Sequence, residues 1–406
     1  MKKVLLGTTA LVAATLVAAP GAQASEKIKL QLGGFFGQVI GWADQDDDFE
    51  NKLVVGGTAA GANVNTGSYK SFDQKSASEI HVKGETKLDN GITVGMRVEF
   101  ETDSFNGDNG TNGGRAFDES FMYLSSATLG RLDLGATKGP AWSMGHRAPN
   151  ASIIGLNAGD ISVSTVYLAL PGQHSARGDM ATTGANDASD FNRINYISPR
   201  FMGVGIGLSY VPDSGYANNA AVDKTVAGFS GSYYSAALAY DDTLFGVKVG
   251  ADFNMARRGA DNVAIAAGTI MPNSTTWYGG GLNFGYAGFT LGGSFSRQIQ
   301  DSEKAGNTAN VRTIDGHKWD TGLTYETGPY KVGLTYTKGE TAGRIDQGGE
   351  DTYSEWVLGF NYNLGPGVDF NAALFRGNYD NEVGGGSAAG NENDGYGLQA
   401  GVLLTF

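Results

Sequence analysis

The chain has 406 residues, including 63 glycines and nine prolines, and no cysteine. Its 29 basic residues face 42 acidic ones, a formal net charge of −13, which argues against a nucleic-acid partner, since neutralising phosphates takes clustered Lys and Arg. A cysteine-free chain of this length is also not a small secreted module stapled by disulfides.

The first element stands apart from the fold. "MKK", the apolar run "VLLGTTALVAATLVAA" and "AQA" at 22–24 read as a signal peptide cleaved before Ser25. Residues 1–24 are therefore assigned to export and 25–406 to a single domain. A membrane helix needs about 20 apolar residues, whereas this run is interrupted by Gly7, Thr8 and Thr9 and closed by Pro20. Without Lys2 and Lys3 the mature chain sets 27 basic residues against 42 acidic ones, a net charge of −15. No later apolar run is long enough for a helical span, so any membrane crossing falls to strands.

From residue 28 onward the dominant signal is period-two alternation. In "GITVGMRVEFE", Ile92, Val94, Met96, Val98 and Phe100 alternate with Thr93, Gly95, Arg97, Glu99 and Glu101. The preceding "SEIHVKGETKL" sets Ile80 and Val82 against Glu79, His81, Lys83, Glu85 and Lys87, and "DNG" between the two runs reads as a hairpin turn. The pattern predicts strands over 28–44, 77–88, 92–102, 117–126, 131–138, 191–198, 203–212, 225–238, 246–255, 276–286, 289–298, 317–326, 330–340, 352–364, 368–380 and 394–406. Short turns alternate with long polar insertions, so one end of the structure carries turns and the other loops. "FDESFMYLSS" at 117–126 is the strand that puts apolar residues on both faces.

Antiparallel strands of this number suit a sandwich, a propeller or a closed barrel. The polar face mixes Gly, Ser, Thr, Asn, Gln and both signs of charge, while the other face is Leu, Val, Ile, Ala and Phe. Aromatics gather near strand ends: Trp42, Tyr196, Tyr210, Tyr240, Trp277, Tyr278, Tyr286, Trp319, Tyr330, Trp356, Tyr379, Tyr396 and Phe406. That is the pattern of interfacial girdles around an apolar belt. An unpaired backbone group in hydrocarbon costs several kcal/mol, so the strands span only if the sheet closes. The fold class is therefore all-β, a transmembrane antiparallel β-barrel of about 16 strands around an aqueous channel.

"GGFFGQVIGW", "VKGETKLDNGITVGMRVEFE", "GRLDLG", "NRINYISPRFMGVGIGLSY" and the terminal "YGLQAGVLLTF" together resemble the general diffusion porins of Gram-negative outer membranes, over the whole mature chain. The resemblance implies a trimeric, sixteen-stranded channel for passive diffusion of small hydrophilic solutes and ions, set among outer-membrane lipid and lipopolysaccharide. It also implies that the terminal aromatic, Phe406, is read by the barrel-assembly machinery. A third long loop is implied to fold into the barrel, and the longest insertion, 139–190, occupies that position. The acidic "PEFGG"-like motif of many members is missing there, and Asp160 is the candidate for the acidic side of the constriction. On the facing wall, two positions of the family's arginine ladder hold Glu79 and Asp118, while Lys83, Lys87, Arg97, Arg131 and Arg193 are expected to point inward. With the negative mature chain, this predicts a slight preference for cations.

Other chemistry finds little support. "DQDDDFE" at 44–50 lacks the Gly and distant Glu of an EF-hand loop and reads as a solvated extracellular loop. Four histidines, His81, His146, His174 and His317, show no metal-binding spacing. No GxSxG elbow is present, and the strand glycines precede no helix that could cradle a phosphate. Neither catalysis, a cofactor nor a metal is expected. The alternatives are a channel specific for a sugar or an anion, an outer-membrane enzyme, or a soluble secreted β-protein.

Overall fold

Alternating strands with one apolar and one polar face close here into a single antiparallel barrel of sixteen strands, each hydrogen-bonded to its neighbours in sequence. The computed structural model describes residues 27–47, 49, 69–103, 117–152, 163–169, 171, 187, 190–212, 230–260, 270–304, 314–342, 350–381 and 392–406. The strands are β1 (Lys29–Gln45), β2 (Phe72–Lys87), β3 (Thr93–Asp103), β4 (Ser120–Ser126), β5 (Gly130–Thr137), β6 (Phe191–Ile197), β7 (Val204–Val211) and β8 (Ser230–Leu244). They continue with β9 (Val247–Ala260), β10 (Ile270–Tyr286), β11 (Phe289–Lys304), β12 (Ile314–Thr327), β13 (Tyr330–Thr341), β14 (Asp351–Gly365), β15 (Val368–Asp380) and β16 (Glu392–Thr405). Residues 1–24, assigned above to export, lie outside the described residues.

Several strands run further than the alternation predicts. β2 begins at Phe72 rather than at 77, β10 begins at Ile270, and β11 continues to Lys304. Beyond the membrane belt the outward face turns polar and the alternation fades from the sequence, yet the extensions still pair along one neighbour, β2 with β1 and β10 with β11. At the turn end β8 carries on to Leu244, so the connection expected over 239–246 narrows to Phe245 and Gly246.

The seam joins β1 to β16, with Phe35 opposite Thr405 and Gln45 opposite Gly395. The Gly34 N–H donates to the Phe406 carbonyl at 3.0 Å, and the Phe406 N–H donates back at 3.1 Å. No backbone edge is left at this end of the chain, which is the condition for spanning hydrocarbon. Tyr396, Leu398, Val402 and Leu404 are exposed on the outer surface while Gln399 is buried on the inner one.

Outward rings form two arcs. Phe295, Trp319, Tyr336, Trp356, Tyr396 and Trp42 lie toward the loop end, with Tyr336 and Trp356 centroids 4.5 Å apart and Trp42 and Tyr396 5.9 Å apart. Phe289, Tyr325, Tyr330 and Tyr362 lie toward the turn end, Phe289 and Tyr325 being 4.4 Å apart. Two rings assigned above to the girdles point inward instead. Tyr379 is 1 % exposed against Tyr353 inside the barrel, and Trp277 donates to Gln298 Oε1 at 2.7 Å beside the buried Tyr233. β4 reads as apolar on both faces because Phe121 and Tyr123 also point inward, under the Arg131 guanidinium, while Met122 faces outward.

The wall is uneven. β4, β5, β6 and β7 have seven or eight residues, whereas β8 to β16 have 12 to 17.

Candidate functional site

The candidate site is the lumen together with the segment that follows β5. This segment enters the barrel as a one-turn helix, α1 (Pro140–Ser143), opened by Pro140 at its first position. It then runs along the inner wall. Met144 packs on Ala237 and Ala239 of β8, and His146 reaches β9 and β10. Pro149 and Ala151 lie on β12 and β13, and Ser152 lies on β14. Val163–Ala169 crosses β14, β15 and β16 to reach β1, with a short 3-10 turn at Ser164–Val166.

Glycine makes this course possible. A methyl group on Gly207 of β7 would lie 2.3 Å from Pro140 Cβ, and one on Gly250 of β9 2.5 Å from the His146 ring. One on Gly281 of β10 would lie 1.8 Å from the His146 carbonyl oxygen, one on Gly322 of β12 2.5 Å from the Pro149 oxygen, and one on Gly359 of β14 2.4 Å from Ser152 N. Gly377, Gly395 and Gly41 repeat the pattern under Ser164, Leu168 and Tyr167. These strand glycines form a groove inside the wall, since only a residue without Cβ permits so close a backbone approach.

Buried wall carboxylates fasten the segment in that groove. Asp252 Oδ1 on β9 accepts the His146 N–H at 2.6 Å, and Asp320 Oδ1 on β12 accepts the Ala148 N–H at 2.8 Å. Glu355 on β14 accepts the Val163 N–H at 2.8 Å and the Ser164 N–H at 2.9 Å, together with the Ser164 hydroxyl. Gln45 Oε1 on β1 accepts the Ala169 N–H at 2.7 Å. Burial of Asp320 and Glu355, 3 % and 2 % exposed, removes competing water and strengthens each bond. His146 is also held by Asp241, whose Oδ1 is 2.8 Å from Nε2. The hydrogen bond to Asp252 first, and then Asp241, keep the His146 imidazole above its ordinary value despite partial burial. Apolar contacts complete the attachment, with Val163, Leu168 and Tyr167 packed on Tyr353, Val357, Phe375 and Tyr379.

Among the described residues the segment leaves the inner face of β2 to β5 uncovered, and the accessible cations Lys83, Arg97 and Arg131 stand there with carboxylate partners. Cations and anions alternate two residues apart along β2, β3 and β5. His81 Nε2 is 2.7 Å from Glu79, Lys83 Nζ is 3.1 Å from Glu85, Arg97 pairs with Glu99, and Arg131 Nε is 2.6 Å from Asp133. Lys83, Arg97 and Arg131 line one recess of about 420 Å³ with His81 and Tyr123.

The residues singled out in the sequence are therefore only partly brought together. Glu79, Lys83, Arg97 and Arg131 share this open wall. Lys87 lies exposed at the turn-side end of β2, four residues beyond Lys83. Asp118 sits in the bend before β4 rather than on a strand, with Oδ2 3.3 Å from Lys138 Nζ. Arg193, expected to face the pore, is instead 2 % exposed, its Nη1 bonded to Asp187 Oδ1 at 2.6 Å. Asp187, returning from the inserted segment, neutralises it against the wall, so Arg193 is sealed away from solutes. Asp160 lies outside the described residues. Asp252, Asp320 and Glu355 are not marked out by the alternation of their strands. Their signal is a lone carboxylate at mid-strand on the same inward face as a glycine, as in "GAD" at 250–252 and "DTG" at 320–322.

The sequence profile of a family described as Gram-negative porin matches residues 7–382. No curated protein sequence matches. Among solved structures, the fold is similar to the anion-selective porin from Comamonas acidovorans, at 17 % identity and TM-score 0.58 over 94 % of this chain and 100 % of that one. It is similar to the outer membrane channel DcaP of Acinetobacter baumannii, at 12 % identity and TM-score 0.58 over 95 % and 99 %. It is also similar to the trimer form of OmpT of Vibrio cholerae, at 12 % identity and TM-score 0.55 over 94 % and 100 %.

Proposed function

The chain belongs to the Gram-negative porin family and forms an outer-membrane channel for passive diffusion, and on that premise we propose how it selects what passes. The conducting path runs between the inserted segment and the inner face of β2 to β5, and the segment sets its width. The observation that carries this reading is the contrast in exposure between the two sides. Side chains of Lys83, Arg97 and Arg131 are 38–42 % exposed, whereas Asp320 and Glu355 beneath the segment are almost fully buried. Flow needs no turnover or cofactor, since a solute crosses down its gradient in water.

On the open wall Lys83, Arg97, Arg131 and Lys138 stand with Glu79, Glu85, Glu99, Asp118, Glu119 and Asp133. The excess of carboxylates supports a weak preference for cations, because rings of charge set channel selectivity. The recess at Lys83, Arg97 and Arg131 favours a second reading, a channel with some affinity for anionic solutes. Planar-bilayer recording separates the two. A salt-gradient reversal potential of cation sign with linear, unsaturated current supports the first, and saturable anion flux supports the second. Absence of conductance refutes both, and an unchanged conductance after deletion of residues 150–180 places that segment outside the path.

Assembly as a homotrimer is part of the proposal, and the low wall supports it. About 9–11 residues per strand are needed to cross the hydrocarbon, and β4 to β7 are shorter. Their outward Met122, Ile194, Ile206 and Leu208 are exposed in the single chain, and neighbouring copies would cover them where lipid fits poorly. Export by the segment 1–24, recognition of Phe406 by the assembly machinery and contact with lipopolysaccharide complete the proposal.

A further inference from the structure

We infer that Glu79, His81 and Glu99 form a binding site for one divalent transition-metal ion of the Zn²⁺ class on the open wall of the lumen. His81 of β2 lies opposite Glu99 of β3 in register, and Glu79 precedes His81 by two residues on the same face. One donor atom from each lies within 4.8 Å of the other two. His81 Nε2 is 2.7 Å from Glu79 Oε2 and 4.0 Å from Glu99 Oε1. Bonds of about 2.0–2.2 Å to a shared ion separate neighbouring donors by roughly 3.0–3.5 Å. The two separations bracket that value, and side-chain rotation alone can equalise them.

The donor set decides the class of ion. Calcium and magnesium take oxygen ligands, whereas an imidazole with two carboxylates suits zinc and its neighbours. Two carboxylates balance the dication, and three protein ligands leave a further position open to lumen water.

A second observation concerns the counter-charge of Glu99. Its side chain is 4 % exposed, and its Oε1, 4.0 Å from His81 Nε2, is also the oxygen that Arg97 Nη2 contacts. A buried carboxylate requires compensating charge, and Arg97 supplies it through an ion pair. Arg97 is the movable member, since its side chain is 42 % exposed. Its Nη2 also stands 3.5 Å from His81 Nδ1. Ligation at Nε2 leaves the proton on Nδ1, facing Arg97, so metal binding and the departure of Arg97 into the lumen are one event. The Phe35 ring stands edge-to-face with the imidazole, their centroids 6.4 Å apart. The bound ion thus replaces an arginine as counter-charge to Glu99 and releases that arginine toward passing solutes.

The test is calorimetric titration of ZnCl₂ into the folded full-length barrel in detergent, with heat-modifiable gel mobility confirming the fold of each variant. One saturable site per chain is expected, unmoved by excess Mg²⁺. His81→Ala and the more conservative Glu79→Gln are each expected to lower affinity at least about tenfold. Arg97→Ala, which removes the competitor, is expected to raise affinity. Absence of saturable binding, or affinity in His81→Ala and Glu79→Gln unchanged from that of the unsubstituted chain, overturns the site, and unchanged or weaker binding in Arg97→Ala overturns the displacement. Binding is read without current, so a barrel that binds zinc but does not conduct refutes the channel reading alone.

Discussion

Replacing Glu355 by leucine probes how firmly the inserted segment is held. The Glu355 carboxylate accepts the N–H groups of Val163 and Ser164, and both of those residues are 0 % exposed. Leucine fills similar volume but accepts nothing, so two buried amides are stranded. Hydrogen bonds to a charged group contribute about 1.5–3 kcal/mol each, so the local docking free energy should fall by roughly 3–6 kcal/mol. Each 1.4 kcal/mol corresponds to a factor of about ten. Hydrogen–deuterium exchange of the Val163 and Ser164 amides should therefore accelerate at least about a hundredfold, limited by the segment's own opening free energy. Strand amides in β14 should keep their protection, because the β13–β14 and β14–β15 ladders do not involve the carboxylate. Glu355→Gln retains one acceptor oxygen and should fall between the two. Unchanged exchange at Val163 and Ser164 in a folded Glu355→Leu barrel would refute the view that this carboxylate fastens the segment.

Three further outcomes follow from the same geometry. Gly41→Val should displace Tyr167, whose ring atoms would lie 2.2 Å from the new Cβ, at a cost of about 1–3 kcal/mol for overpacking. Gly365→Ala, with no atom near its Cβ, should be neutral, and exchange protection at Tyr167 checks both. The raised His146 ionisation, caused first by Asp252 and then by Asp241, carries a definite sign. A folded-state value above the unfolded one, about 6.5, makes its stabilisation complete below that value and lost as pH rises through the folded one. Protection at His146 and Ala148 should accordingly weaken from pH 5.5 to pH 8.5, and His146→Asn should flatten the trend. Removing Phe406 deletes both backbone bonds to Gly34 and should lower the yield of assembled barrel, measured as heat-modifiable protein in the outer membrane.

The barrel was legible because its cause is local and repeated. Each strand must offer hydrocarbon one apolar face, and "YGLQAGVLLTF" or "GITVGMRVEFE" shows that requirement residue by residue. Strand number, the alternation of turns with loops and the closing role of the last strand follow from the same constraint. Strand ends were misplaced where the outer face leaves the membrane, as at Phe72 and Leu244, because alternation is no longer enforced there.

What the sequence did not reveal depends on which parts of the wall another segment covers. Arg193 and Arg97 read alike along their strands, but one is buried with Asp187 and the other stands exposed beside Glu99. Tyr379 reads as a girdle ring until Ser164 and Leu168 are seen packed on its face of the barrel. The glycines, scattered without period in the chain, become a single groove only when eight of them, from separate strands, are brought to adjoining positions. Alternation along a strand fixes which face a residue occupies, because that depends on its neighbours in sequence. Whether an inward face meets water or a buried loop depends on contacts more than a hundred residues away, as between Ala148 and Asp320 or Val163 and Glu355, and these exist only once the chain is closed.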